Sequence, residues 1–396
     1  MYQLSTHQRI SEIGEAAWDE LAGTATPFLR YAWLNALEET GCVRRQAGWL
    51  PMHVAIRRMP GPGAERGELM LVAPVYLKGN SEGEFVFDHA WANFVQGRTQ
   101  LDYYPKLIVA VPFTPASGPR LLMRPGQDHE ELVAAFVQGL VGLCSKLEVS
   151  GAHVLFPSTA QAELLRGAKP PLIERHGVQY HWGNRGYATF DDFLANFTSK
   201  RRNQIKRERR AVQDQGLELQ VCAGGDLDSA RVDEAFELYL STVEKFAWGR
   251  QYLSRGFFHQ IFDKLPGALQ VVRAVPRGTA HGRGKASAAA INLLGDDTLF
   301  GRYWGCFEER PHLHFNVCYY RGVEFCIDAG LRRFEPGAGG EHKVARGFEP
   351  TITPSFHFLT HPGVRAAIAE YTAREREAIA AHLSAERPVL KPGAAG

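Results

Sequence analysis

The sequence predicts an α/β (α+β) protein whose two halves each contain a mixed central sheet flanked by helices. Short apolar runs of strand length alternate with segments of helical periodicity, and the order β, β, β, α, β occurs once in each half. Pro170 and Pro171 interrupt regular structure between the halves. We therefore expect an N-terminal domain over 1–172, a C-terminal domain over 173–388 and a flexible tail over 389–396.

The first half combines two helical patterns with a hairpin. A Gly/Pro-rich turn at 60–67 separates two apolar runs, and this arrangement is typical of antiparallel strands. The predicted elements are helices at 15–21 and 31–39, strands at 53–57, 69–77 and 107–111, a helix at 130–147 and a strand at 153–156.

The second half opens with a predicted long amphipathic helix over 187–216. Thr189 and Asp192 have the spacing of a capping box, and Gly216 can end the helix. The predicted elements that follow are helices at 229–246 and 253–265, strands at 269–274, 286–294 and 299–305, a helix at 314–329, a strand at 331–335 and a final helix at 364–383.

Composition indicates a globular protein. The 396 residues are 45% hydrophobic and 11% aromatic, and no apolar run approaches the roughly 20 residues of a membrane span. The N-terminal residues lack the pattern of an export signal, and six scattered cysteines without a C-x-x-C pair favour free thiols in a reducing compartment. We expect a cytoplasmic location. A formal net charge of +2 does not indicate general attraction to DNA or to a membrane.

The main catalytic candidates lie in EPGAGGEHKVARGFEP, residues 335–350. Its glycines permit positive φ or close approach to a ligand. Glu341 and His342 are candidate proton acceptors, and Lys343 and Arg346 are candidates to bind a carboxylate, a phosphate or a carbonyl oxygen. The alternative is a polar surface loop whose glycines only make turns.

Candidate substrate-binding residues occur in two further motifs. GRYWG, residues 301–305, ends a predicted strand with Arg302, Tyr303 and Trp304, which can bind a planar or anionic group. His314 begins the next helix. The nearby histidines and cysteines lack the short paired spacings of structural zinc, so no metal site is expected and Cys318 is assigned to the core. The alternative for GRYWG is an aromatic strand end with an arginine that reaches solvent.

The segment KRRNQIKRERR, residues 200–210, has seven basic residues and one acid, Glu208. Arg201, Arg202, Lys206 and Arg210 are candidates to bind the phosphates of a nucleotide, a lipid-linked precursor or transfer RNA. The alternative is a solvated helix face.

Lys106 is a further candidate substrate-binding residue, in the first half of the chain. It stands with Tyr103 and Tyr104 before the strand at 107–111, and two prolines follow that strand. These residues can line a substrate cleft, or they can form an ordinary strand with rigid ends.

The absence of several motifs excludes common enzyme classes. The chain contains no G-x-G-x-x-G after a strand, no G-x-x-x-x-G-K-[ST], no G-x-S-x-G and no H-E-x-x-H. These absences argue against nucleotide-dependent dehydrogenases, P-loop enzymes, α/β serine hydrolases and zinc proteases.

A linked set of motifs resembles the bacterial predicted N-acyltransferases of the FemAB-like, peptidoglycan biosynthesis or recognition branch of the GNAT superfamily. The resemblance extends from about Glu82 to His357. The motifs are FDHAWANF (87–94), YYPKLIVAVPFTPASGPRLL (103–122), SKRRNQIKRERR (199–210), GRYWG (301–305), LHFNVCYY (313–320), GAGGEHKVARGFEP (337–350) and TPSFH (353–357).

This resemblance implies a tandem of two GNAT-like acyl-CoA N-acyltransferase domains. Relatives of the Fem type move an aminoacyl group from transfer RNA to the amine of a cell-wall precursor, whereas ordinary GNAT enzymes use acyl-CoA. The sequence departs from the ordinary GNAT pattern after GRYWG, where CFEERPH replaces the pyrophosphate-binding loop.

The resulting hypothesis is an N-acyltransferase that moves an acyl or aminoacyl group from an activated donor to an amine, without a covalently bound cofactor. Acyl-CoA and aminoacyl-transfer RNA are the alternative co-substrates, and the acceptor is a small molecule or a cell-wall precursor. The rival hypothesis is a non-catalytic GNAT-like module that senses a cell-wall fragment or metabolite. The sequence does not predict an oligomeric state.

Overall fold

The structure is a computed structural model that describes residues 2–61, 67–245, 250–385 and 389–390. Contacts between residues divide the chain into two compact units. The first unit contains 2–178 and 352–385 of the described chain, and the second contains 179–351 and 389–390. The predicted fold class is confirmed, since both units contain mixed sheets and helices.

The first unit contains two sheets. Its strands up to 155 are β1 (Tyr2–His7), β2 (Trp49–Pro51), β3 (His53–Arg58), β4 (Glu68–Ala73), β5 (Val75–Lys78), β6 (Lys106–Val109), β7 (Leu122–Met123) and β8 (Gly151–Leu155). Its helices up to 166 are α1 (Glu15–Ala22), α2 (Tyr31–Glu39), α3 (His89–Arg98), α4 (His129–Lys146) and α5 (Thr159–Arg166). The predicted hairpin is β3 and β4, which pair antiparallel. One sheet has the order β1, β3, β4, β7, and the other has the order β2, β5, β6, β8.

The chain passes into the second unit through β9 (Ile173–Gly183). The elements that follow are α6 (Phe190–Ala195), α7 (Ser199–Asp214), β10 (Leu217–Ala223), α8 (Ser229–Glu244), α9 (Arg255–Lys264), β11 (Leu269–Pro276), β12 (Ala288–Leu294), β13 (Thr298–Cys306), α10 (Leu313–Phe315), a π-helical turn (Asn316–Tyr320), α11 (Arg321–Asp328) and β14 (Arg333–Glu335). The sheet of this unit has the order β10, β11, β12, β13, β14, β9. Only β13 and β14 pair parallel among these described neighbours.

The last two elements return the chain to the first unit. They are β15 (Glu349–Leu359) and α12 (Pro362–Ala385). Residues 355–359 of β15 pair with β8, and Ile368 of α12 packs with Trp91 of α3 in a buried apolar cluster. These contacts place 352–385 in the first unit, whereas the sequence boundaries assigned that segment to the C-terminal domain.

Part of the expected flexible tail lies in a core. Leu390 is buried in the apolar cluster of the second unit, with Val389 packed beside it. The remainder of that tail, 391–396, lies outside the described residues.

The prediction of one long helix over 187–216 is wrong, because helical structure is interrupted between α6 and α7. The capping box of Thr189 and Asp192 is present at the start of α6. Asn196 then donates from its side chain to the carbonyl oxygen of Asp192, and Thr198 caps α7 by accepting from the Arg201 amide. A second N-cap therefore starts a new helix where apolar spacing alone suggested continuity.

The sequence also missed several elements. They are β1, β2, β7, β9, β10, β15, α3 and α5. Within the described residues, no helix is both long enough and apolar enough to cross a membrane.

A buried ionic cluster, formed by Lys78, Glu84, Asp88 and Lys106, lies inside the first unit. The Lys106 ammonium donates to Ser81 Oγ (2.8 Å), Glu84 Oε2 (2.9 Å) and Asp88 Oδ2 (2.5 Å). Its three N–H groups therefore match three protein acceptors. Two cations and two carboxylates balance in charge, which offsets part of the cost of their burial.

A buried histidine pair lies in the same unit. The Nδ1 atoms of His153 and His357 are 2.7 Å apart, and the edge of the Trp91 ring contacts His357. Burial is the main cause that lowers the pKa of His153 to about 3, and burial likewise lowers the pKa of His357 well below its ordinary value. Both imidazoles are therefore neutral at neutral pH.

We expect stability of the protein to fall as pH drops from about 6.5 towards 3. Over this range the unfolded chain protonates His153 and the folded chain does not, because its pKa is lowered from 6.5 to about 3. The unfolded state thus gains protons, and stability is lost at up to about 1.4 kcal/mol per pH unit for this group. Urea unfolding at several pH values measures the slope.

The variant His153→Asn retains an amide donor near Nδ1 and should show a shallower slope. His89→Asn is the matched control, because His89 is exposed. Equal slopes for the His153 variant and the unaltered protein would contradict this account.

Candidate functional site

The glycine-rich stretch forms a 3₁₀ helix, Glu341–Arg346, bounded by Gly340 and Gly347 in left-handed conformations. Gly340 has a φ of 88°, and a Cβ there would lie 2.9 Å from Cε1 of His342. A side chain at this position would therefore be strained and would displace the imidazole. The stretch is a folded turn that fixes the path of the residues after Gly340.

His342 lies against a group of rings in the second unit. Its Nε2 is 2.9 Å from the hydroxyl oxygen of Tyr319, and its ring centre is 6.0 Å from that of His314 and 5.8 Å from that of Phe315. His342 is nevertheless an exposed residue. Burial, followed by the positive charges of Arg346 and Lys343, lowers the pKa of His342. The imidazole is therefore neutral, and able to accept a proton, at neutral pH.

Two buried cations support the 3₁₀ turn. Lys343 donates from Nζ to the carbonyl oxygen of Gly337 at 2.7 Å, and burial lowers its pKa to about 8. Arg346 donates from Nη1 to the carbonyl oxygen of His342 at 2.9 Å, and its guanidinium carbon lies 3.3 Å from the centre of the Phe315 ring. Both side chains thus hold the backbone around His342.

A buried ion pair links this turn to the basic helix α7. Nη2 of Arg346 lies 3.2 and 3.1 Å from the two carboxylate oxygens of Glu208. Glu208 is 4% exposed and Arg346 is 7% exposed. The carboxylate also accepts from the Tyr320 hydroxyl and from Gln204 Nε2. The only acid within 200–210 therefore points inward.

The π-helical turn at 316–320 supplies two consecutive tyrosines to this arrangement. The Tyr319 hydroxyl contacts His342, and the Tyr320 hydroxyl contacts Glu208. Asn316 donates from its amide to the backbone oxygens of Glu208 and His312, both at 2.9 Å. π turns within helices occur frequently at functional sites. The sequence predicted a regular helix here and missed Tyr319, Tyr320 and Glu208 as site residues.

A cavity of about 800 Å³ adjoins these rings. The C-terminal end of α8, the end of β13 and the segment before α10 form its walls, and Trp304, His314, Lys245 and Glu309 are among its lining residues. The centres of the Trp304 and His314 rings are 5.0 Å apart. Burial is the main cause that lowers the pKa of His314 to about 4. His314 thus contacts both the cavity wall and His342.

Close packing of α8 on β13 shapes this cavity. A Cβ at Gly305 would lie 1.7 Å from the carbonyl oxygen of Leu238, so only glycine permits the observed approach. The Thr242 hydroxyl donates to the carbonyl oxygen of Trp304 in the same region. The last glycine of GRYWG therefore has a packing role.

Three remaining predicted residues of the C-terminal half do not line the cavity. They are Glu341, Arg302 and Tyr303. Glu341 is exposed, and no hydrogen bond or ion pair joins it to another described residue. Arg302 stacks on Tyr303 at 4.9 Å, and the Tyr303 ring packs against Tyr239 and Phe258. Roles for these three residues in catalysis or substrate binding stay predictions.

The predicted phosphate-binding residues all lie on α7. Arg201 donates to Gln204, Arg202 donates to Ser199, and Lys206 is 3.3 Å from a carboxylate oxygen of Asp191. Lys206 and Arg210 are exposed. Residues 202, 206 and 210 repeat at four-residue spacing and share one helix face.

Lys106, the last predicted substrate-binding residue, belongs to the buried ionic cluster of the first unit. It is fully buried, and its three N–H groups have protein acceptors. It is therefore not part of the arrangement around His342. Within the described residues, no group of three or more His, Cys, Asp or Glu side chains is placed to hold a metal ion.

The model of the FemAB-like family, described as peptidoglycan biosynthesis/recognition, matches residues 9–389. The chain belongs to the FemAB-like family. The resemblance inferred from the linked motifs is thereby confirmed. No curated protein matches the chain of this FemAB-like protein by sequence.

Solved structures resemble the FemAB-like protein along most of its length. A crystal structure of FemX has a TM-score of 0.53 at 11% identity and covers 93% of this chain and 100% of its own. A conserved protein of unknown function from Bacteroides thetaiotaomicron VPI-5482 has a TM-score of 0.50 at 11% identity, with 90% and 99% covered. A tandem GNAT protein from the clavulanic acid biosynthesis pathway has a TM-score of 0.44 at 11% identity, with 91% and 99% covered. At 11% identity the likeness to FemX concerns the fold alone.

We expect Glu208→Gln to lower the free energy of unfolding by about 3–5 kcal/mol, because it leaves the Arg346 charge buried without a counter-charge. Glu324→Gln is the control: Glu324 also pairs with two arginines but is partly exposed, and we expect a loss of about 1 kcal/mol or less. Denaturant unfolding measures both changes.

The double variant Glu208→Gln, Arg346→Met should recover stability relative to the single Glu208 variant, because it also removes the uncompensated charge. Purely additive losses in this double-mutant cycle would contradict the proposed coupling.

Proposed function

We propose that this FemAB-like protein is an N-acyltransferase that moves an acyl or aminoacyl group from an activated donor to an amine. The observation that supports it best is a neutral imidazole, His342, hydrogen-bonded to Tyr319 and in ring contact with a residue that lines a cavity of about 800 Å³. A proton acceptor beside a ligand-sized hollow is what attack by an amine requires.

The reaction needs one proton acceptor and no covalent enzyme intermediate. The amine nitrogen attacks the donor carbonyl carbon and loses a proton to His342. The bond to the donor's sulfur or oxygen then breaks, and the leaving group takes that proton from His342 and departs as a thiol or an alcohol. Burial raises the pKa of Tyr319, so its hydroxyl keeps its proton. In the tautomer with hydrogen on Nε2, His342 donates to the Tyr319 oxygen and Nδ1 is left to accept the proton.

The other residues of the site have positioning and electrostatic roles in this proposal. Lys343, with a pKa of about 8, is mainly protonated at neutral pH and supplies positive charge beside His342. Arg346 fixes the backbone of His342 by donating a hydrogen bond to the carbonyl oxygen of His342. Trp304 and His314 line the cavity and are placed to contact substrate.

The family match supports a choice of acceptor. The family description, peptidoglycan biosynthesis/recognition, favours an amine on a cell-wall precursor. Transfer to such an acceptor is consistent with the cytoplasmic location expected from the sequence.

The donor hypothesis has two forms, acyl-CoA and aminoacyl-transfer RNA. The segment after β13, CFEERPH, replaces the glycine-containing loop with which ordinary GNAT enzymes hold CoA pyrophosphate, and the helix that follows it, α10, has three residues before the π turn. Exposed cations of α7 favour the second donor, because the acid of that segment is turned inward to Arg346. Aminoacyl-transfer RNA is therefore the donor that we favour.

We expect His342→Ala to lower turnover by about 10²-fold or more, because general-base catalysis typically contributes this much. Tyr319→Phe should lower turnover by about tenfold, because it removes one hydrogen bond. Since the pKa of His342 is lowered, the acid limb of the kcat/KM profile should lie below the ordinary histidine value. The measurement is product formation with acetyl-CoA and with alanyl-transfer RNA, each combined with a panel of amines.

Glu341→Gln is the matched control, because Glu341 is the exposed neighbour of His342. A large loss in this variant together with an unchanged His342→Ala would transfer the role of base to Glu341. Saturable donor binding without product, under every combination, would favour the non-catalytic module instead.

We expect binding of transfer RNA to weaken steeply with salt and to depend on α7. Replacing Lys206 and Arg210 with glutamate removes two exposed cations and should reduce the slope of log K against log salt by about 0.7–0.9 per lost phosphate contact. Fluorescence anisotropy at several salt concentrations measures this slope. Arg98→Glu, an exposed arginine of α3, is the control.

A flat salt response, or equal slopes for the α7 and Arg98 variants, would exclude this donor mode. Native mass spectrometry of freshly purified protein incubated with acetyl-CoA or alanyl-transfer RNA then identifies the donor that is retained.

A further inference from the structure

A cavity of about 660 Å³ lies along helix α12 in the first unit, and we call it the arginine groove. Eleven residues line it, of which seven are apolar, so an apolar surface dominates its walls. Leu172, Ile173 and Phe356 are among the apolar lining residues. The four charged lining residues are Arg166, Glu174, Arg365 and Arg376. None of these residues belongs to the site around His342.

The charges of the groove are not balanced. Arg166 pairs with Glu163 and Glu174 at 2.5 and 2.7 Å, so this arginine is neutralised within the protein. In contrast, no carboxylate of the described chain forms an ion pair with Arg365 or Arg376. Two positive charges therefore remain on the α12 side of the groove.

The two α12 arginines are held in place by neutral groups. Arg365 donates from Nη2 to the carbonyl oxygen of Thr360 at 3.2 Å, and its guanidinium lies 4.7 Å from the centre of the Phe358 ring. Its Nε is buried and has no acceptor among the described residues. Arg376 donates from Nη1 to the carbonyl oxygen of Glu174. These contacts orient both guanidinium groups without neutralising them.

The helix spacing gives the groove an elongated form. Positions 365, 369 and 376 recur at intervals of four and seven residues, so they lie on one face of α12. The two arginines are eleven positions apart in sequence, which corresponds to about 16 Å along a helix. Ala366 and Ala369 lie between them and extend the apolar surface.

We propose that the arginine groove binds an anionic amphiphile, that is, a carboxylate or phosphate joined to an apolar chain. A guanidinium recognises either acid group through charge-assisted hydrogen bonds, and neither Arg365 nor Arg376 has a carboxylate partner in the described chain. The apolar wall removes the chain from water. An inorganic anion alone would leave the apolar wall exposed to water. A neutral lipid would provide no counter-charge for Arg365 or Arg376.

Isothermal titration calorimetry with four probes tests the proposal on the full-length protein. The probes are dodecanoate, dodecyl phosphate, inorganic phosphate and dodecyltrimethylammonium, each kept below its micelle-forming concentration. We expect saturable binding of the first two only. The double variant Arg365→Met, Arg376→Met should weaken that binding by about tenfold or more, because it removes both guanidinium groups and so the one that holds the single acid group by charge-assisted hydrogen bonds.

Two controls separate loss of binding from loss of fold. The charge-conserving variant Arg365→Lys, Arg376→Lys should retain part of the affinity, and Arg374→Met should leave it unchanged because Arg374 is an exposed α12 arginine paired with Glu370. Circular dichroism confirms that each variant is folded.

Three results would overturn the proposal: equal binding of the cationic probe, binding of inorganic phosphate as tight as that of dodecyl phosphate, or an affinity that the Arg365 and Arg376 methionine variant leaves unchanged. None of these results concerns acyl transfer, so the proposed function is tested separately.

Discussion

The ion pair between Glu208 and Arg346 is the contact on which the candidate site depends. One carboxylate accepts from an arginine, a tyrosine and a glutamine, and both partners of the ion pair are almost completely buried. Because Glu208 and Arg346 are withdrawn from water, each of them needs its partner: an unpaired buried charge is strongly destabilising. The pair therefore fixes α7, the π turn and the 3₁₀ turn relative to one another, and His342 takes its position from that frame.

The same contact determines the charge that α7 presents to solvent. Seven cations lie within 200–210, and the only acid among them is used internally. Asp191 and Glu324 offset Lys206 and Arg209, whereas Lys200, Arg207 and Arg210 are exposed and form no ion pair with a carboxylate of the described chain. Burial of Glu208 thus connects α7 to the 3₁₀ turn and leaves a net positive outer face on α7. One residue, Glu208, therefore contributes both to the packing of α7 and to the positive surface charge of the proposed donor-binding helix.

The first unit uses buried charge differently. In the buried ionic cluster, the Lys106 ammonium has an acceptor for each N–H group, and the His153–His357 pair is neutral. Internal satisfaction of this kind fits a structural role and leaves no free donor for substrate. The arginine groove has the opposite property, since Arg365 and Arg376 keep their charge beside an apolar wall. The buried ionic cluster and the arginine groove therefore differ in whether their charges have partners within the protein, and not in how many charged residues they contain.

The sequence by itself determined the fold class, the family and the segment that contains His342. Periodicity and turn residues depend on local backbone preferences, so they predicted α2, the β3–β4 hairpin, β13 and the capping box at Thr189 correctly. Local spacing did not predict the break before α7, the π turn or the return of β15 and α12 to the first unit. The break coincides with a side-chain cap, and the π turn contains the two tyrosines whose hydroxyls contact His342 and Glu208. The return of the chain depends on pairing with β8, a strand some 200 residues away in sequence. Tertiary structure alone decided that Glu208 is buried with Arg346, that Glu341 is exposed and that Lys106 is enclosed, because burial and ion pairing depend on residues distant in the chain.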